Sequence, residues 1–442
     1  MKRITYLLLF LSSLHCQAQE PWSVDQCIQY AVTHNRDVRM QRITVDDYKN
    51  EQTRAVGAFL PRIEGSVSGQ YNFGRAIDPE TNTYTNVSTF YNGYSLSANI
   101  PLFDGLQQYN NLRAAKASLL MGKSQLAARQ DQTARNVMES YLQVLYYAGC
   151  IEIAAEKRSE SELLLKQTRR MVEVGQKGEA DLAQMQATYA TDDYEVTHQQ
   201  SLYDKALLAL KQQMNFPPEA LLQVAPQETL LAPEEGYTGQ PAGEIFEQAR
   251  QYIPEIKQAE YNLLSAKYAY RSSKGALFPS LSMGVGVSTT YYKQLHVPNT
   301  TSFNQQFRNN VGEYVYFTLS IPLFNRMNTL SNIRRQRNNL RKAEEELEYR
   351  HHELNRLVME ACTDQENSRK EMEKLRAKVE SDRIAARLTT RKYEEGLASS
   401  IDVQTSAVTL LQSKVQLLQS QLTYIYKTRI LNYYKGAPLW TE

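Results

Sequence analysis

Four segments of the chain alternate between apolar and polar residues with a period of two. In the first, over 63–73, the odd positions carry apolar residues or glycine and the even positions carry polar residues. The apolar positions of the other three are Tyr94, Leu96, Ala98 and Ile100; Leu281, Met283, Val285 and Val287; and Val315, Phe317, Leu319 and Ile321. This alternation predicts β-strands with one apolar face, each about ten residues long, the length that a tilted strand needs to cross a bilayer.

The half-buried sheet of a soluble protein shows the same alternation. Such a sheet needs an apolar layer to cover it, and the remainder of the sequence offers none. We therefore interpret the four segments as membrane strands. Pro61, Pro101, Pro279 and Pro322 bracket them, at places where proline would stop the neighbouring helices.

Two long stretches, 104–172 and 326–393, contain no proline and carry apolar residues at heptad spacing. The heptad positions are Leu112, Leu119 and Leu126 in the first stretch, and Ile333, Leu340, Leu347, Leu354 and Ala361 in the second. This spacing predicts coiled-coil helices. At 1.5 Å per residue each would be about 100 Å long.

The chain repeats itself at a nearly fixed displacement. The sequence Gly-Ala-Phe-Leu-Pro at 57–61 returns as Gly-Ala-Leu-Phe-Pro at 275–279, and Ile-Pro-Leu-Phe at 100–103 returns at 321–324, so the displacements are 275 − 57 = 218 and 321 − 100 = 221. Gly175 and Asp181 recur as Gly396 and Asp402, since 396 − 175 = 402 − 181 = 221. Matches in one register indicate duplication of a unit of about 220 residues.

The duplication and the composition define the predicted domains. Residues 19–215 form a first repeat of a helix, two strands, a long helix and a further helix, and residues 242–442 form a second repeat with a C-terminal tail. The intervening segment, 216–241, is rich in proline and predicts a linker or small surface module.

The first 18 residues predict a secretory signal peptide. Two basic residues precede an apolar run over 4–14 that is too short to span a bilayer as a helix. Cleavage is expected after Ala18, where Cys16-Gln17-Ala18 approximates a small-x-small site. A lipidated Cys16 is the alternative, but His15 is bulky where lipoprotein signals have a small residue.

Composition and motifs exclude several classes of function. No later window holds 18 uninterrupted apolar residues, which argues against a helical membrane span. The net charge of +2 gives no reason to expect a nucleic-acid partner. Cys27, Cys150 and Cys362 lie at no metal-ligand spacing, and the sequence lacks catalytic and phosphate-binding motifs. We therefore expect no metal, no cofactor and no enzymatic activity.

Four amphipathic strands are too few for a closed barrel. An open sheet edge in hydrocarbon leaves backbone groups unpaired, at a cost of several kcal/mol each. The protomers must therefore share a barrel. Two would give a narrow barrel and three a wider lumen, and the sequence alone does not choose the number.

These features together resemble the TolC-like outer membrane efflux protein family. The resemblance rests on two strand pairs bracketed by Leu-Pro or Phe-Pro and by Ile-Pro-Leu-Phe, each followed by a long helix that turns at Val-Gly or Glu-Gly with aspartate six residues later. It covers nearly the whole mature chain. It implies a mixed α and β membrane protein, in which a trimeric, shared transmembrane β-barrel with four strands per protomer continues as a coiled-coil α-helical barrel in the periplasm.

The same resemblance implies that the turns over 174–181 and 395–402 form the periplasmic aperture and meet an adaptor protein. Gly175 and Gly396 would lie at the adaptor-contacting tips, although helix capping at positive φ also explains both. Asp181, Asp402 and Tyr393 would line the aperture, although a carboxylate that begins a helix is favoured without any function. In the closed state Tyr393 is expected to help hold Asp402 by hydrogen bonding. Thr405 stands where some family members carry a second aspartate.

The predicted function is the outer-membrane channel of a tripartite efflux system. A homotrimer in outer-membrane lipid would conduct small molecules passively, driven by an inner-membrane pump through a periplasmic adaptor. Two alternatives remain: a protein-secretion conduit of the same fold, and a periplasmic coiled-coil adaptor or scaffold.

Overall fold

The computed structural model describes residues 21–77, 82–86, 88–226, 240–295 and 301–440. The predicted signal peptide at 1–18, its Ala18 cleavage site, Cys16 and residues 227–239 of the predicted linker lie outside the described residues. The chain forms two compact units. One contains the described residues of 44–124 and 257–349, and we call it the sheet unit. The other contains those of 1–43, 125–256 and 350–442, and we call it the helical unit.

The sheet unit contains the four predicted strands in one antiparallel sheet. These are β1 (Arg62–Asn72), β4 (Thr89–Phe103), β5 (Ser280–Gln294) and β6 (Gly312–Ser320), in the order β1-β4-β5-β6. Two three-residue strands, β2 (Arg75–Ile77) and β3 (Tyr84–Asn86), pair in the connection between β1 and β4. The prediction that each repeat contributes two strands to one sheet is confirmed, and the two strands of each repeat are adjacent in that sheet.

The strand register places the apolar positions on one face. Ile63 lies opposite Ala98, Ala98 opposite Val285, and Val285 opposite Val315. On the other face the hydroxyls of Ser66 and Ser95 hydrogen-bond at 2.8 Å. Ile63 is 66% exposed and Val315 64% exposed, so the described part of the chain leaves this apolar face uncovered at both edges of the sheet.

One proline does not behave as expected. Pro61 and Pro279 directly precede β1 and β5, and Pro322 follows β6, as predicted. Pro101 instead lies inside β4, where the register with β5 shifts between Pro101 and Phe103. A residue without an N–H is tolerated in a strand at such an irregularity, because no ladder bond is required of it there.

The helices repeat with the displacement that the sequence indicated. Their bounds are α1 (Val24–His34), α2 (Arg36–Gly57), α3 (Gln107–Glu173), α4 (Glu179–Met214), α5 (Ala242–Ala249), α6 (Pro254–Gly275), α7 (Phe303–Asn309), α8 (Asn328–Glu394) and α9 (Ser400–Tyr434). Helices α3 and α8 each contain 67 residues, and their bounds differ by 328 − 107 = 394 − 173 = 221. The long helices and the duplication are thereby confirmed.

Within the described residues, no helix is both long enough and apolar enough to cross a membrane.

The helical unit has a continuous apolar core around the middle of α3. Tyr141, fully buried, donates its hydroxyl to the carbonyl oxygens of Trp22, at 3.0 Å, and Ala225, at 3.3 Å. The N-terminal segment and the segment after α4 are thus both attached to α3. Trp22 and Val224 also form a parallel β-bridge.

The end of α9 is held by a buried carboxylate on α3. The Tyr433 hydroxyl donates to one oxygen of Asp131 at 2.6 Å, and the Trp440 indole N–H donates to the other at 3.3 Å. Burial raises the pKa of Asp131 above its ordinary value, while the Tyr433 hydrogen bond lowers it. Deprotonation of Asp131 therefore costs stability that the Tyr433 bond partly restores.

We predict that Tyr433→Phe lowers the free energy of unfolding by about 1.5–3 kcal/mol at pH 7, because a charged, buried carboxylate loses a donor. The loss should shrink at pH 4. Burial raises the folded-state pKa above the unfolded value, so the folded state binds the proton more tightly, and the unfavourable buried charge disappears as pH falls. Thermal unfolding followed by circular dichroism at both pH values measures this. Tyr434→Phe, at a neighbouring residue of similar burial, is the control. An equal loss of stability at both pH values would show that Tyr433 does not act by stabilising the charged Asp131 carboxylate.

Candidate functional site

Two helix turns in the helical unit have the same backbone structure. The first joins α3 to α4 and the second joins α8 to α9. Gly175 has a φ of 75° and Gly396 a φ of 78°. In each turn the glycine N–H bonds the carbonyl three residues back and the next N–H bonds the carbonyl five residues back, at 2.7–3.0 Å. Each helix therefore ends in a Schellman motif, which requires the left-handed conformation that glycine adopts readily.

The helices that follow the two turns begin differently. At the start of α9, Ser399 and Asp402 form a capping box: the Ser399 N–H donates to the Asp402 carboxylate at 2.9 Å, and the Asp402 N–H donates to the Ser399 hydroxyl at 3.2 Å. The Ser399 hydroxyl also contacts the carboxylate at 2.7 Å and holds the pKa of Asp402 below its ordinary value. At the start of α4, Gly178 occupies the cap position and offers no side chain, so Asp181 has no such partner there.

Tyr393 lies buried between the two hairpins and is 1% exposed. Its hydroxyl hydrogen-bonds that of Thr168 on α3 at 2.9 Å. The ammonium of Lys177 lies 4.2 Å from the centroid of its ring. Burial chiefly raises the pKa of Tyr393, the Thr168 bond lowers it, and the nearby Asp181 charge raises it further. Tyr393 therefore joins the second helical hairpin to the first.

Two further polar contacts bring the turns side by side. The Gln184 side-chain amide donates to the Gln404 side-chain oxygen at 2.9 Å. Lys177 Nζ lies 3.5 Å from the Ala398 carbonyl oxygen, at the limit of hydrogen bonding. The partners come from equivalent places in the two repeats, because 404 − 184 = 220 and 398 − 177 = 221. Duplicated turns are thus neighbours in one chain.

Three large apolar side chains are exposed on the paired turns, which also carry exposed acidic residues. Val174 is 69% exposed, Leu397 73% exposed and Ile401 64% exposed. Exposed large apolar side chains are often found at contact surfaces. Gly175 and Gly396 lie directly beside Val174 and Leu397 in the chain, so the turn backbone presents these side chains.

The structure places the predicted site residues in or beside the two turns but gives Tyr393 and Asp402 other partners than expected. In this chain Tyr393 bonds Thr168, and the Asp402 carboxylate bonds Ser399, so the expected bond between Tyr393 and Asp402 is not formed. Sequence reasoning missed Thr168, Lys177 and Ser399. Ser399 was within reach, since Ser-x-x-Asp before a helix is a capping signal. Thr168 and Lys177 carry no local signal, because their roles depend on packing between distant segments.

No group of three or more His, Cys, Asp or Glu in the described part of the chain is arranged to hold a metal ion.

The fold and the paired turns define a duplicated protein of long helical hairpins attached to a four-stranded sheet. The chain matches the family model of the outer membrane efflux proteins over residues 27–215 and 245–429, and it belongs to that family. It is accordingly an outer-membrane channel component of efflux systems, with a part that extends into the periplasm.

Known proteins show the same relationship. The chain is 21% identical over 394 residues to the outer membrane efflux protein BepC of Brucella suis biovar 1, covering 88% of this chain and 80% of that protein. It is similar in fold to VceC of Vibrio cholerae, at 13% identity and a TM-score of 0.79, covering 94% of this chain and 96% of that one. It is also similar to the CmeC channel of Campylobacter jejuni, at 16% identity, a TM-score of 0.75, and coverage of 93% and 85%.

We predict that Thr168→Val loosens the paired turns by about 1–3 kcal/mol, because it leaves the buried Tyr393 hydroxyl without its partner. Tyr393→Phe removes that hydroxyl, so the double variant should be less destabilised than Thr168→Val alone. Hydrogen exchange of the amides over 389–400 measures the local opening. Thr389→Val, at the equivalent position of the second repeat (389 − 168 = 221), is the control. Additive effects in the double variant would show that the two hydroxyls do not interact.

Proposed function

We propose that the protein is a homotrimeric, passive conduit for small molecules, with an aperture formed by the paired turns. Family membership and the open four-stranded sheet together support this proposal. An inner-membrane pump supplies the energy, and a periplasmic adaptor connects it to the conduit. The observation that carries the proposal is the sheet itself, whose two edge strands and apolar face remain exposed in the single chain.

The sheet edges are the argument for a shared barrel. β1 and β6 form the two edges, and nearly every residue of both strands is exposed. In hydrocarbon their outward N–H and C=O groups need partners. A neighbouring protomer supplies them by pairing its β6 with this β1. Three protomers contribute twelve strands (3 × 4), which leaves a lumen wide enough for cargo.

We predict that the mature protein extracted from outer membranes is a trimer in mild detergent. The expected result is one species of three times the protomer mass, plus the bound detergent, by light scattering. Symmetric closure satisfies every strand edge, whereas a monomer leaves two edges open. A folded monomer, with helical and strand content unchanged by circular dichroism, would refute the shared barrel.

The aperture is assigned to Asp402, Asp181 and Tyr393. Around a three-fold axis each carboxylate becomes a ring of like charges, which favours cations and repels anions. The contact of Tyr393 with Thr168 and Lys177 holds the two hairpins of one protomer together, so its release is the step that widens the tip. The exposed Val174, Leu397 and Ile401, presented by the turns at Gly175 and Gly396, form the surface for the adaptor.

We predict that Tyr393→Phe makes the isolated trimer leakier in planar bilayers. Three copies of a bond worth only about 0.5 kcal/mol shift a closed-to-open equilibrium by roughly tenfold. Single-channel recording of open probability measures the change. An open probability equal to that of the unmodified protein would show that the Tyr393 hydroxyl does not stabilise the closed state.

We predict separately that Asp402→Ala weakens block by divalent or trivalent cations added from the periplasmic side, because the ring of carboxylates is lost. Ser399→Ala is the matched control, since it removes the helix cap and keeps the carboxylate. Equal loss of block in both variants would identify Asp402 as a cap only.

The fold supports the two alternative functions to different degrees. A periplasmic adaptor does not need a four-stranded sheet with an uncovered apolar face, and the family assignment disfavours it. A protein-secretion conduit shares the whole architecture, and the pump rather than the channel chooses between the two cargoes.

A further inference from the structure

The segment that follows β6 carries a concentration of positive charge. Residues 325–343 contain six basic residues and no acidic one. These residues, which we call the basic belt, are Arg326, Arg334, Arg335, Arg337, Arg341 and Lys342. All six are exposed. The belt begins in the segment that joins β6 to α8 and continues over the first four helical turns of α8, within the sheet unit.

The duplication shows that the fold does not require most of this charge. Subtraction of 221 gives the equivalent positions in the first repeat. Arg334 and Arg337 correspond to Arg113 and Lys116. The other four belt residues correspond to Gly105, Ala114, Leu120 and Met121. An equivalent helix of identical length begins there without those four cations. Their presence in the second repeat therefore needs another reason.

Arg326 also occupies a strained backbone position. Its φ is 57°, and that of the equivalent Gly105 is 70°. In the first repeat glycine is needed for space as well, since a Cβ at position 105 would lie 2.3 Å from the Gly275 carbonyl oxygen. Left-handed backbone is unfavourable for a residue with a side chain. The turn also holds Met327, and its equivalent Leu106 in the first repeat, at a φ of 65°. At position 326 the second repeat thus has an arginine where the first repeat has a glycine, which adopts this conformation readily.

Large apolar side chains stand beside the belt. Leu323 is 91% exposed, Phe324 77% exposed and Met327 58% exposed. They lie between the last residue of β6 and the start of α8, so apolar residues occupy the sheet end of the segment and cations follow. This sequence of apolar and then basic side chains is typical of a membrane interface, where the apolar groups enter the acyl layer and the cations reach the headgroups.

We propose that the basic belt binds anionic phospholipid headgroups on the side of the membrane where β6 ends. This rests on the proposed function, in which the sheet spans the outer membrane. Arg337 lies nine residues into α8, about 14 Å along its axis. The headgroup region is roughly 5–8 Å thick. The belt residues up to Arg337 therefore lie within side-chain reach or a Debye length of the phosphates; these are Arg326, Arg334, Arg335 and Arg337. Each cation near an anionic surface contributes about a fivefold gain in partitioning.

The test compares lipid retention by trimers purified in mild detergent with added phosphatidylglycerol or phosphatidylethanolamine, counted by native mass spectrometry. The belt variant is Arg334→Gln, Arg335→Gln and Arg337→Gln together. The matched control removes three exposed cations further along α8, Lys374, Arg376 and Arg387. We expect the belt variant to lose at least about tenfold in phosphatidylglycerol bound, and the control to lose none. Phosphatidylethanolamine binding should not change.

A second variant keeps the result interpretable. Arg326→Gly adopts the residue of the first repeat and relieves the strained φ, so it should lower phosphatidylglycerol retention about fivefold without lowering the melting temperature. Unchanged phosphatidylglycerol retention in the belt variant would overturn the proposal. If unchanged retention is accompanied by a shift of ion selectivity toward cations, the belt faces permeating anions instead of lipid. Trimer mass and conductance are recorded on the same samples. If the unmodified protein forms no trimer and conducts no ions, the proposed channel function is refuted, and not the binding of lipid by the belt.

Discussion

The backbone groups along β1 and β6 impose the constraint on which the rest of the protein depends. Inside a bilayer their outward N–H and C=O groups have no water to bond, and the chain has no fifth strand in this sheet, among its described residues, to cover them. In the proposed trimer, pairing between protomers meets this requirement at both edges at once. In the proposed trimer, the same symmetry places three copies of every helix around one axis. Strand pairing in the proposed trimer thus sets the symmetry of the tip before any side chain there is considered.

The duplication makes the two halves comparable residue by residue, and the differences between them coincide with the proposed functions. Gly178 in the first repeat is Ser399 in the second, so only the second turn fixes its aspartate in a capping box. Val172 corresponds to Tyr393, so at this position only the second hairpin supplies a hydroxyl, which bonds that of Thr168 in the first hairpin. Gly105 corresponds to Arg326. Shared residues maintain the fold in both halves, whereas the unshared ones add a contact or a charge that one half folds without.

Most of the fold was predictable because its signals are local. Alternation over ten residues defines a strand wherever it occurs, and an uninterrupted heptad pattern defines a long helix. The glycine turns were predictable for the same reason, since Gly175 and Gly396 provide the positive φ that ends each helix, and the hydrogen bonds of the turn span only five residues. The Tyr393 contact was not predictable, because Thr168 is 225 residues away and only the packing of two hairpins brings them together. The position of Pro101 inside β4 likewise depends on its partner strand.

The energetics of the proposed aperture follow from the contrast between the core and the tip. Around Tyr141 the hairpins share a fully buried apolar core, and separation there would expose large side chains. At the tip, the described contacts between the hairpins include the Tyr393–Thr168 bond, the Lys177 contact with the ring, and the Gln184–Gln404 bond. Each is worth about 0.5–1.5 kcal/mol net, so the three together amount to about 1.5–4.5 kcal/mol in one protomer, less than the binding energy of a modest protein interface. In the proposed mechanism, opening by an adaptor therefore needs no fuel at the outer membrane, provided the motion is confined to the tip and leaves the core intact.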